Sequence, residues 1–503
     1  MNHLENVLCS VSEVRELEAA QIANGVPGEV LMESAGSSAF RLLRQCWPHA
    51  EQIAVYCGGG NNGGDGYIVA GLAAGAGLHV NLVALAPPAT AEAQGAKEKA
   101  QAAGVQPTGH SSQVLSEADV VVDALLGIGV TGALREPYVS VIREINQSPG
   151  VRLAIDVPSG LNADSGAALP CAVSADATIT FIRNKRGMFT GSGPDYSGTI
   201  VLEHLGVAVG VSRERQEPGR WGLRLSEEWV RQVLPPRHAT FHKGNAGHLL
   251  VIGGGPGMPG AAVLAGRAAL RSGAGRVTIA CHPDNRLAVP SHTPELMVAA
   301  PQEPRDLAAL LDQSDAAVIG PGLGQSDWAK SLYAACRDRP LPKVLDADAL
   351  NLLSCEPVPL PGSVVTPHPG EAARLSQLSV VEVQSDRPAV ADTLASKFDS
   401  VCVLKGAGTL VAETGKRVLV CDRGHPGMAT AGMGDVLSGV IGALLSQGVS
   451  PYEAAGAGVW MHAAAGDLVG AHAGGIGLMA TDLEPYLGQW RAVPPSGVVT
   501  DGR

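Results

Sequence analysis

The sequence predicts an α/β protein of more than one domain, and three observations predict it. At 503 residues the chain exceeds one ordinary core. Short apolar runs of five or so residues alternate with longer helical segments throughout. Glycine-rich turns follow several of those runs, where parallel sheets with helices on both faces hold their ligands.

The elements follow in order. Ser10 and Glu13 have capping-box spacing, so residues 10–24 read as a helix. Strands are expected at 53–57, 80–85, 120–124, 153–157, 177–181 and 199–202. Several are continuous apolar runs, as strands covered on both faces require. GGGNNGGDG follows the first, LLGIGVTG the third and PSG the fourth. A doubly wound sheet is expected for this half. Residues 208–222, AVGVSRERQEPGRWG, lose the apolar pattern and gain charge, which marks a linker. A second series is expected at 248–252, 277–280, 316–319, 344–346, 364–366, 401–404 and 418–420, then helices at 435–446 and 452–471. The expected division is 1–212, 222–492 and a flexible Pro/Gly-rich tail, 493–503. Both halves carry Gly-Gly-Gly after an early strand, but no repeat extends beyond it.

Composition excludes several classes. No apolar run approaches the roughly 20 residues that span a bilayer, and the N-terminus lacks a basic-then-apolar leader pattern. A cytoplasmic protein without membrane partners is expected. Nine scattered cysteines without a C-x-x-C pair argue against a disulfide framework or zinc site. A formal charge of −12 argues against non-specific nucleic-acid binding.

The most informative stretch is GHPGMATAGMGDVLSGVIGAL, residues 424–444. A Gly-rich loop there becomes an apolar helix, whose free N–H groups and partial positive charge suit a phosphate. Asp435 can be a plain helix-start aspartate, or it can take a proton from a hydroxyl while the loop holds a phosphoryl group. Five further segments end strands in the same half: VIGGG, IGPGLG, LDADAL, TPHPGE and LKGAGT. Each alone reads as a turn or a helix cap; jointly with AGMGD they point to phosphoryl transfer.

This half resembles the ribokinase-like carbohydrate kinases, and more closely the ADP- or ATP-dependent NAD(P)H-hydrate dehydratases. The strings FHKGNAGHLLVIGG, GAAVLAGRAALRSGAG, IGPGLG, LDADAL, TPHPGE, LKGAGT and HPGMATAGMGDVLSG carry the resemblance across about residues 225–490. It implies a ribokinase-like α/β domain. It also implies repair of a nicotinamide cofactor hydrated at ring carbon 6, by phosphorylating the new hydroxyl and eliminating phosphate. Asp435 would be the general base and would contact the hydrated ring. Lys405, Gly406, Ala407, Gly408, Thr409 and Gly434 would hold the nucleotide. Ala261, Gly324 and His368 would line the hydrated-cofactor pocket. Mg²⁺ would bridge phosphates with few direct protein ligands. ADP is the expected co-substrate, giving AMP.

In the first half, CGGGNNGGDG (57–66) departs from the dinucleotide fingerprint, since two asparagines and an aspartate sit among its glycines. VVDALLGIGVTG supplies Asp123 and AIDVPSGL supplies Asp156 and Ser159. As isolated strings these are turns and caps. With LMESAG (31–36) they resemble the NAD(P)H-hydrate epimerase domain across about residues 8–210, a Rossmann-like sheet. The resemblance implies interconversion of the R and S hydrates, through loss of the hydroxyl or ring opening. Asp156 would relay the proton. Asn61, Asn62, Gly63, Gly64, Asp65, Gly127, Ile128, Gly129, Val130, Thr131, Gly132, Ala133 and Asp156 would bind substrate. Asn62, Asp123 and Ser159 would coordinate K⁺.

Together the halves read as a bifunctional repair enzyme for NADHX and NADPHX, a homo-oligomer without nucleic-acid partners. One rival is a ribokinase-like vitamin-precursor kinase fused to a nucleotide-binding domain. Another is a non-enzymatic RNA-processing scaffold, against which the retained Asp123 and Asp156 and the acidic charge argue.

Overall fold

Both halves turn their apolar runs into parallel strands, and both place loops at the carboxyl ends of those strands. The computed structural model describes residues 3–130, 132–206 and 222–490. The chain divides into two units, the first ending at Leu223 and the second beginning at Arg224. The expected linker (208–222, apart from Gly222) and the expected tail lie outside the described residues. No helix among the described residues is long and apolar enough to cross a membrane.

In the first unit seven strands lie in the order Pro107–Thr108, His79–Ala84, Gln52–Cys57, Val120–Ala124, Val151–Ile155, Ala177–Phe181 and Thr199–Glu203. All neighbouring pairs are parallel. Val120–Ala124 is buried along its whole length, as its unbroken apolar run requires. Each Val, Ile or Leu withdrawn this completely contributes about 1.5–3 kcal/mol. The strand order reverses between Gln52–Cys57 and Val120–Ala124, which opens a crevice at their carboxyl ends.

One sequence expectation is corrected here. NNGGDG is not a loop after the first strand: it forms the opening of the helix Asn61–Gly75. Glycine disfavours helix interiors, but close packing overrides that preference. A Cβ at Gly63 would stand 2.0 Å from the Gly58 carbonyl oxygen, so no larger residue fits. The helix Gly28–Cys46, which contains LMESAG, was not anticipated. The helix Val11–Ala23 carries the expected Ser10–Glu13 capping box.

In the second unit the order is Met297–Ala299, Arg276–Ala280, His248–Ile252, Ala316–Ile319, Lys343–Leu345, Ser363–Val365, Val401–Leu404, Thr409–Ala412 and Leu419–Cys421. The first seven run parallel. The last two join antiparallel. Thr409–Ala412 was not expected, and it makes LKGAGT the turn of a hairpin. Again the order reverses beside the central strand, between His248–Ile252 and Ala316–Ile319. The apolar helices Met433–Ser446 and Pro451–Ala473 complete this unit.

Candidate functional site

The first unit holds a cavity of about 450 Å³ at its crevice. Of the residues expected there, Asn61, Asn62, Asp65, Gly127, Ile128, Gly129, Val130 and Asp156 line it. Gly63 and Gly64 are buried in helix packing and do not line it. Gly132 and Ala133 are exposed and outside the lining, and Thr131 lies outside the described residues.

Asp156 follows its strand directly and has φ +67°, which turns its side chain out of the ladder. Its carboxylate is ion-paired with Lys185, whose side chain is 1% exposed. The same ammonium donates to Thr180 Oγ1 at 2.9 Å and to the Phe181 carbonyl at 2.8 Å. All three of its N–H donors are therefore used. Sequence reasoning missed Lys185; a lysine just after a buried strand is the trace it leaves.

Asp123 and Ser159 are fully buried. The Ser159 hydroxyl donates to Asp123 Oδ1 at 2.6 Å and the Ser159 amide to Oδ2 at 2.8 Å. Burial pushes the Asp123 carboxyl up to about 6 against those hydrogen bonds. Both polar side-chain atoms of Asn62 are buried without a hydrogen-bond partner. Such an amide calls for an unseen partner, and Oδ1 offers a cation an oxygen.

In the second unit the helix Met433–Ser446 starts from Gly432, whose φ of +88° brings the AGMGD loop into the helix. Asp435 is its third residue. Burial pushes its carboxyl up to about 7; Asp346 adds to the rise, Lys405 opposes it and Asp348 adds further. Among the described residues it has no salt bridge or hydrogen bond. The first helical turn should favour its ionised form, and here burial outweighs that.

Beside it lies an ion pair on a buried aspartate. Lys405 Nζ is 2.8 Å from Asp346 Oδ1 and 3.8 Å from Glu371 Oε2. The Ser438 hydroxyl donates to Asp346 Oδ2 at 2.6 Å. Burial works against the Asp346 charge, yet Lys405 and the hydroxyls of Ser438 and Thr366 hold its carboxyl below the usual range. A Cβ at Gly434 would come within 3.3 Å of Lys405 Nζ, so the helix start and the pair are adjacent. LDADAL carries two aspartates, Asp346 and Asp348, either of which could cap the following helix. The fold separates them, since Asp348 accepts the Gly324 amide at 2.8 Å.

Gly406, Ala407 and Gly408 form the hairpin turn between Lys405 and Thr409, whose hydroxyl bonds the Gly406 carbonyl at 2.9 Å. His368 caps the helix Pro369–Ser376 in a capping box with Glu371. Its ring is half-exposed, and burial with the Lys405 and Arg374 charges pushes its pKa down. Ala261 lies in the first turn of Pro259–Arg271, within 3.1 Å of a Cβ placed on Gly322. IGPGLG, LDADAL, TPHPGE, LKGAGT and AGMGD thus end around the same strand ends.

Fold and geometry define an α/β enzyme with two sites, each built on buried carboxyls. Residues 249–488 match the family described as NAD(P)H-hydrate dehydratase, and 28–187 the one described as YjeF-related protein N-terminus. The chain is 44% identical to the bifunctional NAD(P)H-hydrate repair enzyme Nnr of Coxiella burnetii, over 96% of this chain and 98% of that one. It is 43% identical to the enzyme of that name from Escherichia coli, over 93% and 90%. Among solved structures it is similar to the ADP/ATP-dependent NAD(P)H-hydrate dehydratase of Bacillus subtilis, at 30% identity and TM-score 0.48, covering 55% of this chain and 98% of that one. The chain belongs to the family of bifunctional NAD(P)H-hydrate repair enzymes, with an epimerase and a dehydratase domain.

Proposed function

We propose that Asp435 is the dehydratase base and Asp156 the proton relay of the epimerase. The observation that carries the first role is an unpaired acid in the first turn of a glycine-started helix, beside the Lys405–Asp346 pair.

Asp435 takes the proton of the C6 hydroxyl, and the oxygen attacks the terminal phosphorus of ADP as AMP leaves. The ring nitrogen then drives the C6–O bond to break, releasing phosphate, and loss of a proton from C5 restores the ring double bond. Hydroxide leaves poorly and phosphate well, which is why the nucleotide is consumed. Lys405 and the turn Gly406–Ala407–Gly408–Thr409, with Gly434, would hold the nucleotide. Ala261, Gly324 and His368 would line the ring pocket. Mg²⁺ would travel with the nucleotide phosphates, because Asp346, the buried acid beside Asp435, is already paired with Lys405.

In the first unit the cavity-lining residues Asn61, Asn62, Asp65 and Gly127 to Val130 would bind the hydrated cofactor, with Asp156 moving the proton. The buried, unpartnered Asn62 amide and the oxygens of Asp123 and Ser159 fit a hard cation such as K⁺. Bound there, K⁺ would balance the Asp123 charge and anchor an anionic ligand oxygen. All nine cysteines are free, which supports a reducing, cytoplasmic setting.

Incubation with hydrated NADH and either ADP or ATP, following the return of dihydronicotinamide absorbance, tests this reading. ADP is expected to support the reaction and to yield AMP. Turnover without nucleotide consumption would refute it. Replacing K⁺ by choline is expected to slow R-to-S exchange and leave dehydration of the S form unchanged.

A further inference from the structure

The cavity of the first unit holds a second carboxyl to which the epimerase reading gives only a binding role. Asp65 is the fifth residue of the helix Asn61–Gly75 and lines the same cavity as Asp156. It is 8% exposed, and among the described residues nothing hydrogen-bonds its carboxyl. Asp156 is held differently: a buried ammonium is fixed against it and the Phe181 amide donates to its Oδ1 at 3.3 Å. Of the four carboxyls lining this cavity, Glu18, Asp65, Glu92 and Asp156, Asp65 is the buried one and has no cation against it, and Asp156 is the one ion-paired with an ammonium; these two are set up for opposite halves of a proton-transfer cycle.

Resting on the epimerase reading, we propose that Asp65 is the general acid of this site, delivering a proton to the departing C6 hydroxyl while Asp156 receives one from the water that adds back. The C6–O bond breaks with its electrons on oxygen, and the Asp65 proton completes the water. The N1 lone pair forms the C6=N1 bond. A second water forms the new C6–O bond, the iminium electrons return to N1, and the released proton goes to Asp156. The resulting state, with Asp65 ionised and Asp156 protonated, is competent for the reverse reaction. Proton exchange with solvent resets it.

The electrostatics agree. Burial raises the Asp65 carboxyl well above its ordinary range, Asp156 and Glu18 raise it further, and Lys185 opposes them. The other groups around it are Cys57 at the end of its strand, and Arg15 and Glu92 in the cavity wall. None of these places a cation in contact with Asp65.

The test is Asp65→Asn in the full chain. Exchange of R and S hydrated NADPH would be followed by separating the epimers, with binding of the hydrated cofactor measured on the same preparation. The expected result is a fall in kcat of about 100- to 1000-fold, with KM within about threefold of the parent. The parent's decline in exchange as rising pH ionises Asp65 should vanish in the variant, and Asp65→Glu should recover part of the rate. Exchange within about threefold of the parent, an unchanged decline with rising pH, or a loss of affinity as large as the loss of turnover would each overturn the role. A parent chain without exchange, or an Asp156→Ala chain that exchanges normally, overturns the underlying reading and this role with it.

Discussion

In the first unit Lys185 lies against Asp156, one residue past a strand end, while Asp65 in the crevice helix Asn61–Gly75 has no cation against it. In the second unit Lys405 lies against Asp346, again one residue past a strand end, while Asp435 at a helix start is unpaired. The two sites share this plan on different sheets. They differ in the lysine. Lys185 is 1% exposed and its donors are used by three protein acceptors. Lys405 is 18% exposed, and its second acid stands 3.8 Å away. One ammonium is committed to its aspartate, and the other retains reach toward a ligand phosphate. The difference matches a site that moves only protons and water and a site that must also grip a nucleotide.

The largest expected effect separates the two sites completely. Asp435→Asn should lower dehydratase turnover by about 1000-fold or more and leave nucleotide affinity and R-to-S exchange intact. Asp156→Ala should abolish exchange while dehydration of the S form survives. Assaying both activities in both variants checks this, and cross-inhibition would break the comparison. Next in size, removing either lysine leaves its aspartate, buried Asp346 or cavity-lining Asp156, without its cation. Lys185→Met and Lys405→Met should each cost about 3–5 kcal/mol in stability, with the more deeply buried Lys185 the larger. Denaturant unfolding of each unit would measure this, and equal small losses would remove the distinction between committed and available ammonium. The smallest effect concerns support of the pair. Ser438→Ala deletes the 2.6 Å bond to Asp346 and should cost about 1.5–3 kcal/mol, read as a lowered Tm.

Much of this plan was legible in the sequence. Val120–Ala124 and His248–Ile252 are unbroken apolar runs that only a covered strand explains. The glycines after Cys57 and Ile252 mark where those strands stop. What was not legible depends on contacts distant in the chain. Lys185 reads as a surface lysine until the fold brings it to Asp156, 29 residues away. Asp346 and Asp348 look equivalent in LDADAL until Lys405 takes one and the Gly324 amide the other. The start of Asn61–Gly75 was hidden because its glycines disfavour helix locally and are required by packing against Gly58.

As a base, Asp435 must lose its proton before dehydration can begin. Burial raises its carboxyl to about 7, so the ionised, active form is present above that pH and lost below it. The measurement is dehydratase kcat/KM for the S hydrate across roughly pH 5.5–8.5, in the parent and in Asp435→Asn. The predicted result is a parent rate that climbs through a midpoint near 7 and a variant whose residual rate is flat. A flat parent profile, or the same climb persisting in the variant, would contradict it.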